Sequence, residues 1–254
     1  MQNIKLSKIE TIAPKSMDKE LTKLKTKETI LKIAELQDVL IASQKRSVLV
    51  ILQGMDASGK DGAIKKVFSG INPAGLRVET FKRPTEEELA HDFIWRLHKV
   101  TPQKGEIVIF NRSYYEDILI QRVHKWIDEK TVQQRIDAIN NFEKLLEQNG
   151  TKIIKCYMHI SPEAQLERLE ERKVNPAKMW KHRDNDWNER KLWKEYMNAY
   201  EDAMNKCSKY AKWNIVAVDQ NWFKEHQIAN LVINALKEMK LKYPELITED
   251  KIKK

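Results

Sequence analysis

The stretch SVLVILQGMDASGKDG, residues 47–62, constrains this chain more than any other. An apolar, β-branched run ends at Gly54, and a short loop then closes on Gly59-Lys60 at the start of a helical pattern. The spacing is nearly G-x-x-x-x-G-K-[ST], in the strand–loop–helix setting that a phosphate-binding loop requires. In such a loop the glycines let the backbone curl so that its N–H groups face phosphate oxygens, and the helix N-terminus adds positive potential. The contact candidates are Gly54, Ala57, Ser58, Gly59 and the mobile charge of Lys60. The bland alternative is a chance strand-to-helix turn.

Two acids depart from the usual pattern. Asp61 stands where a hydroxyl is expected, and Asp56 lies inside the loop. Two like unit charges about 4 Å apart repel by roughly 4 kcal/mol at an effective dielectric near 20. Carboxylates beside phosphates therefore need compensation. Mg²⁺ supplies it, because it prefers carboxylate, water and phosphate oxygens. Asp56 and Asp61 are thus the metal candidates, with a helix-capping role as the alternative, and compatible, reading of Asp61.

Strand candidates recur at Ser47–Gln53, Arg77–Phe81, Glu106–Phe110, Lys152–Ile160 and Trp213–Val218. Helical patterns separate them at Gly62–Phe68, Glu86–His98, Asp128–Gln148, Pro162–Arg172, Asp186–Lys209 and Trp222–Lys240. A further helix is expected within Met17–Gln44, preceded by an aperiodic arm over residues 1–16. Alternating strands and helices imply right-handed crossovers and a parallel sheet covered on both faces. Ligands of such sheets bind beyond the carboxyl ends of the strands, so the loops after Gln53, Phe81 and Phe110 should meet. The expected unit is a single domain over residues 1–254, with residues 1–46 as arm and helix.

Three further segments carry candidate chemistry. In IVIFNRSYYED, a buried strand delivers Asn111 and Arg112 to the edge of the phosphate loop. Arg112 is a fork suited to phosphate oxygens. Glu116 follows within a turn and can restore the negative charge that a neutral Asn111 lacks. Between Arg168 and Arg183 the cations Arg172, Lys173, Lys178 and Lys181 crowd around Pro176, which breaks the helix there. A basic segment of this kind, approximately residues 168–187, reads as a lid. Its competing reading is a solvated basic turn, and Trp180 and Trp187 read as packing residues. In FKRPTEEELAHDFIWR, Lys82 and Arg83 leave a strand at the ligand edge and Arg96 lies on the next helix. His91, His98 and His124 show no metal pattern and read as structural.

Composition narrows the partners. The 254 residues carry a formal charge of +9, which favours polyanionic partners such as nucleic acid, anionic lipid or a phosphate polymer, with a lysine-rich solvated surface as the alternative reading. No apolar run approaches a membrane span, and MQNIKLSKIE shows no apolar leader, so a cytoplasmic setting without membrane contact is expected. Cys156 and Cys207 form neither a metal spacing nor a disulfide framework. No aromatic stacking platform or recognition module for nucleic acid is evident.

The motifs G-x-D-A-x-G-K-D, F-x-x-P-T-x-E-E, F-N-R-S-x-Y-E-D and N-P-x-K-x-W-K, in this order, resemble the polyphosphate kinase 2 family over roughly Ile30–Phe223. The resemblance implies an α/β, three-layer P-loop kinase fold: a central parallel five-stranded sheet, helices on both faces and a helical lid. It implies phosphoryl transfer from inorganic polyphosphate to AMP and/or ADP with Mg²⁺. Adenine nucleotides, with guanine nucleotides as further candidates, would be the acceptors, and a homo-oligomer is expected. Carried over by motif, Asp56, Lys60 and Asp61 sit at the transferred phosphate. Asn111 and Glu116 serve the nucleotide, with Arg96 added as a candidate by its place on the helix after the ligand-edge strand. Arg112, Arg122, Arg172, Lys178 and Lys181 serve the phosphates, and placement at the ligand edge adds Lys82 and Arg83 as candidates. The pairing of Asn111 with Glu116 is similar to the branch that accepts both nucleoside mono- and diphosphates. The rival readings are an ATP-dependent nucleoside monophosphate kinase and a basic P-loop protein that binds nucleic acid without catalysis.

Overall fold

A computed structural model describes residues 3–246. Its five strands are β1 (Ser47–Gln53), β2 (Leu76–Thr80), β3 (Ile107–Asn111), β4 (Thr151–His159) and β5 (Trp213–Ala217). All pair in parallel, in the order β2-β3-β1-β4-β5. The central position of β1 follows from its sequence, since Val48–Leu52 are fully buried and such a run suits a strand covered on both faces.

The helices are α1 (Lys19–Ser43), α2 (Lys60–Val67), α3 (Glu86–Ala90), α4 (Trp95–His98), α5 (Ile120–Val123), α6 (Glu129–Gln148), α7 (Pro162–Val174), α8 (Asn185–Lys191), α9 (Trp193–Lys206) and α10 (Asn221–Glu238). α6 and α9 lie on the face of β4 that presents Lys155 and Tyr157, which bond Glu143 and Met197 respectively. α1, α2 and α10 pack together in the other layer. Helix starts follow local chemistry: Asp18, Asp128 and Ser161 accept from backbone N–H groups of the first turn, and Pro162 fills a first-turn position. No helix among the described residues is long and apolar enough to cross a membrane.

Two expected helices divide. The stretch Glu86–His98 breaks because Asp92 accepts from the N–H groups of Ile94 and Trp95, which starts a new turn. The stretch Asp186–Lys209 breaks at Leu192, beside Glu189, whose carboxylate bonds Tyr196, His124 and Asn185. The aperiodic arm is docked: the Leu6 N–H donates to Glu201, the Thr11 hydroxyl donates to Asp219, and Leu6 is buried.

Candidate active site

The carboxyl ends of β1 and β3, the start of α10 and the α7–α8 connection enclose a cavity of about 810 Å³. Its floor is the loop after β1. Gly54 is required there, since a Cβ would stand 2.9 Å from the Met158 carbonyl oxygen and φ is +156°. Gly59 is held by φ +87° and by the Lys224 ammonium, 2.9 Å from where its Cβ would sit. Ala57 also adopts a positive φ of 62°, a conformation that costs energy and clusters at functional sites. Lys60 is buried and folded over the loop, with Nζ donating to the carbonyls of Gly54 at 2.8 Å and Met55 at 3.1 Å, and to Ser58 Oγ at 3.3 Å. Burial, reinforced by the Arg112 charge, pushes its ammonium down to about 8.

The two loop carboxylates are matched by cations from different elements. Arg112 donates to Asp56 at 2.5 Å and reaches Glu116 at 3.4 Å. It does so from a left-handed backbone, φ +64°, at the end of β3. Burial raises the Asp56 carboxyl, but Arg112, Lys60 and Arg172 outweigh it and hold the group below its ordinary range. The Glu116 carboxylate raises the already high Arg112 still further. Glu116 is steadied from below by Gln53, which in turn accepts from Ser113 Oγ. Asp61 receives Asn111 Nδ2 at 2.9 Å and the lid's Lys181 at 2.7 Å. Burial raises its carboxyl, and these two bonds more than reverse that. Asp61 makes no helix-capping bond, so the capping alternative falls away.

The lid leaves α7 where Asn175 turns extended before Pro176, as the proline requires. Arg172 bonds Asp186 at 2.7 Å, and Lys178 bonds Glu171 at 2.5 Å. Both cations line the cavity, as does Arg83. Trp180 does not pack: it is 77 % exposed on the cavity rim, with Lys181 over its ring.

Several expected residues lie apart from the cavity wall. Arg122 faces Glu129 and Asp202, at 2.6 and 2.8 Å, which hold it in a surface ion-pair cluster. Arg96 is buried against the Phe81 ring and reaches Glu88 and Asp117. Lys82 offers its carbonyl to Arg96 rather than its ammonium to the cavity. Ser58 is fully buried beneath Lys60. Asn111 touches the site only through Asp61.

Two further cations stand at the loop: Arg168, expected only as part of the basic lid segment, and Lys224, which was not a candidate. Arg168 donates to the Ala57 carbonyl at 3.0 Å and to the backbone after β5. Lys224 on α10 is buried, bonds Asn221 at 2.7 Å, and is pushed down to about 8 by burial and by Arg168. The carboxyl-edge rule, extended to the loop after β5, points to this Asn221–Lys224 segment.

A phosphate loop at the end of a central parallel strand, facing a basic lid across one cavity, defines a P-loop kinase. Residues 16–244 match the family model described as Polyphosphate kinase 2. The chain belongs to the polyphosphate kinase 2 family. It is 44% identical over 215 residues to the AMP/ADP-polyphosphate phosphotransferase of Meiothermus ruber, covering 84% of this chain and 80% of that protein. It is 38% identical over 227 residues to the ADP-polyphosphate phosphotransferase of Rhodopseudomonas palustris, covering 84% and 78%. The crystal structure of Polyphosphate Kinase 2 from Arthrobacter aurescens TC1 superposes with a TM-score of 0.95 at 34% identity, over 98% of this chain and 90% of that one.

Proposed function

We propose that this protein transfers a phosphoryl group from inorganic polyphosphate to AMP and/or ADP, making ADP or ATP. The carrying observation is the lining of the cavity, in which nine cationic side chains meet six carboxylates around Lys60. That excess suits a donor more densely charged than a nucleotide alone. The relatives named for polyphosphate and for AMP or ADP support the same reading.

Catalysis then rests on positioning and charge neutralisation. Lys60 exchanges loop carbonyls for phosphoryl oxygens, whose charge redistributes during transfer. Arg112, held between Asp56 and Glu116, aims its fork into the cavity. Lys178 and Lys181 close over the donor and exclude water. Among the described residues no three acidic, histidine or cysteine groups converge on a cage. The fit to Mg²⁺ rests on Asp56 and Asp61, two carboxylates on the cavity wall, since that ion is usually held by one or two carboxylates plus substrate phosphates. Asp56 and Asp61 would hold it, and it would neutralise the transferring phosphoryl. Asn111 with Glu116 would let the acceptor be a mono- or a diphosphate.

The test is one assay with purified protein, Mg²⁺ and AMP or ADP, given polyphosphate or ATP as donor. ATP should form from ADP only with polyphosphate and Mg²⁺ together. Transfer from ATP to AMP with no response to polyphosphate would identify an ATP-dependent monophosphate kinase instead.

A further inference from the structure

A second cavity, of about 690 Å³, opens where α1 lies over α2 and α10. Lys19, Lys23 and Lys27 line it from α1, at a spacing of four that puts them on one helical face. Lys66 faces them from α2, and Glu225 of α10 is the only carboxylate in the described lining. Lys23 also bonds Glu20 at 2.8 Å, an exposed pair of little net worth that leaves its charge available. Further along, α1 buries Ile33 and Leu40, whereas here it buries Thr22 and Thr26. The helix thus offers this groove a positively charged flank, beside apolar lining from Ile30 and Trp222.

The groove neighbours the candidate active site. Asn221 lines both cavities, and its side-chain oxygen accepts from Lys224, the cation beside Gly59. Cations therefore stand on both sides of Asn221: Lys224 and the phosphate loop on one, Lys66 and the α1 lysines on the other. Lys19 to Lys27 spans about 12 Å along the helix axis. A mononucleotide seated at the loop would not extend to both. A linear polyanion with a charge on every unit and no side chains would.

Resting on the reading of polyphosphate as donor, we propose that this groove is a distal subsite for long-chain polyphosphate. It holds the chain beyond the segment that reacts and so sets a chain-length preference. The test is a triple variant, Lys19→Ala, Lys23→Ala and Lys27→Ala. These positions are exposed or half-buried, and alanine favours the helix. Steady-state KM is measured for tripolyphosphate and for long-chain polyphosphate, at low and high salt. The long-chain KM should rise about tenfold at low salt, or about 1.4 kcal/mol, with a flatter salt dependence. The tripolyphosphate KM should stay within about twofold, since no groove contact is then lost. A separate variant, Lys66→Glu, should repeat the long-chain effect from the opposite wall. An unchanged long-chain KM, or an equal rise for both donors, would overturn the distal subsite while leaving the donor assignment intact. Failure of the unaltered protein to use either donor would instead remove the function on which the subsite rests.

Discussion

Replacing Lys60 by methionine should make the protein more stable and almost inactive. The ammonium is buried, and its pKa falls from 10.5 to about 8, chiefly through burial and then through Arg112. That displacement corresponds to roughly 3 kcal/mol of penalty on the charged form at neutral pH. Methionine is close in volume and removes the charge, but the carbonyls of Gly54 and Met55 lose a donor, at about 1 kcal/mol each. A net gain of about 1 kcal/mol at pH 7 is therefore expected for the ligand-free protein in urea unfolding. The sign of the pH dependence makes this specific. Between pH 8 and 10.5 the unfolded lysine keeps a proton that the folded one has lost, so the stability of the unaltered protein rises with pH in that window. Below it the full penalty is present. The methionine variant lacks this rise, so its advantage should shrink as pH climbs. Turnover should fall by about 100-fold or more, as for other donors to a transferring group in a shielded site. A variant less stable at pH 7, or an advantage that does not narrow above pH 8, would refute the electrostatic argument. Retained turnover would remove Lys60 from the mechanism.

Other consequences are more local. Lys178→Ala with Lys181→Ala should raise the KM for polyphosphate and flatten its salt dependence, because screened lid contacts are removed; an unchanged KM at low salt returns the segment to a solvated turn. Glu116→Ala should change the ratio of kcat/KM for AMP and ADP, and a ratio constant within about twofold, some 0.4 kcal/mol, would deny this carboxylate a part in acceptor choice. Arg122→Ala should leave the polyphosphate KM unaltered, since its guanidinium is engaged by Glu129 and Asp202; a severalfold rise would return Arg122 to the phosphate path. Lys155→Met should cost about 3–5 kcal/mol in chemical denaturation, because Glu143, fully buried beside Tyr114 and Tyr115, loses its cation.

The backbone plan was legible because it depends on local pattern. β1 occupies Ser47–Gln53 as expected, bounded by the glycine that the close approach of Met158 enforces. The phosphate loop and the Pro176 break were legible for the same reason. Side-chain partners were less so, because partner choice is made across the sheet. Nothing in the order of residues says that Arg122 meets Asp202 while Arg112 turns back to Asp56. That turn needs a left-handed residue at the end of β3, an energetic exception that propensity does not anticipate. Lys224 was missed because it reads as an ordinary helical lysine. Only the strand order, which sets β4 between β1 and β5, brings the start of α10 to the phosphate loop.

The two loop acids are each paired with a cation from a different element. Asp56 is tied to Arg112, its neighbour across the cavity floor, whereas Asp61 is tied to Lys181 of the lid. The second bond is a latch between lid and loop, and its strength matters. Asp61 keeps 60% of its side chain exposed and Lys181 keeps 32%, so water screens the pair. A pair of this kind contributes at most about 1 kcal/mol, which shifts a closed-to-open ratio by about fivefold or less. A tighter latch would compete with the donor for Lys181. A hydroxyl at position 61, as the ordinary loop pattern would have it, would offer the lid no countercharge. A weakly held lysine can rest on Asp61 and pass to a phosphate oxygen without a large penalty. On this argument Asp61→Ser should loosen the lid while sparing the fold. Proteolytic nicking between Arg172 and Arg183 should then become faster in the ligand-free protein, and equal rates for the two forms would deny the latch.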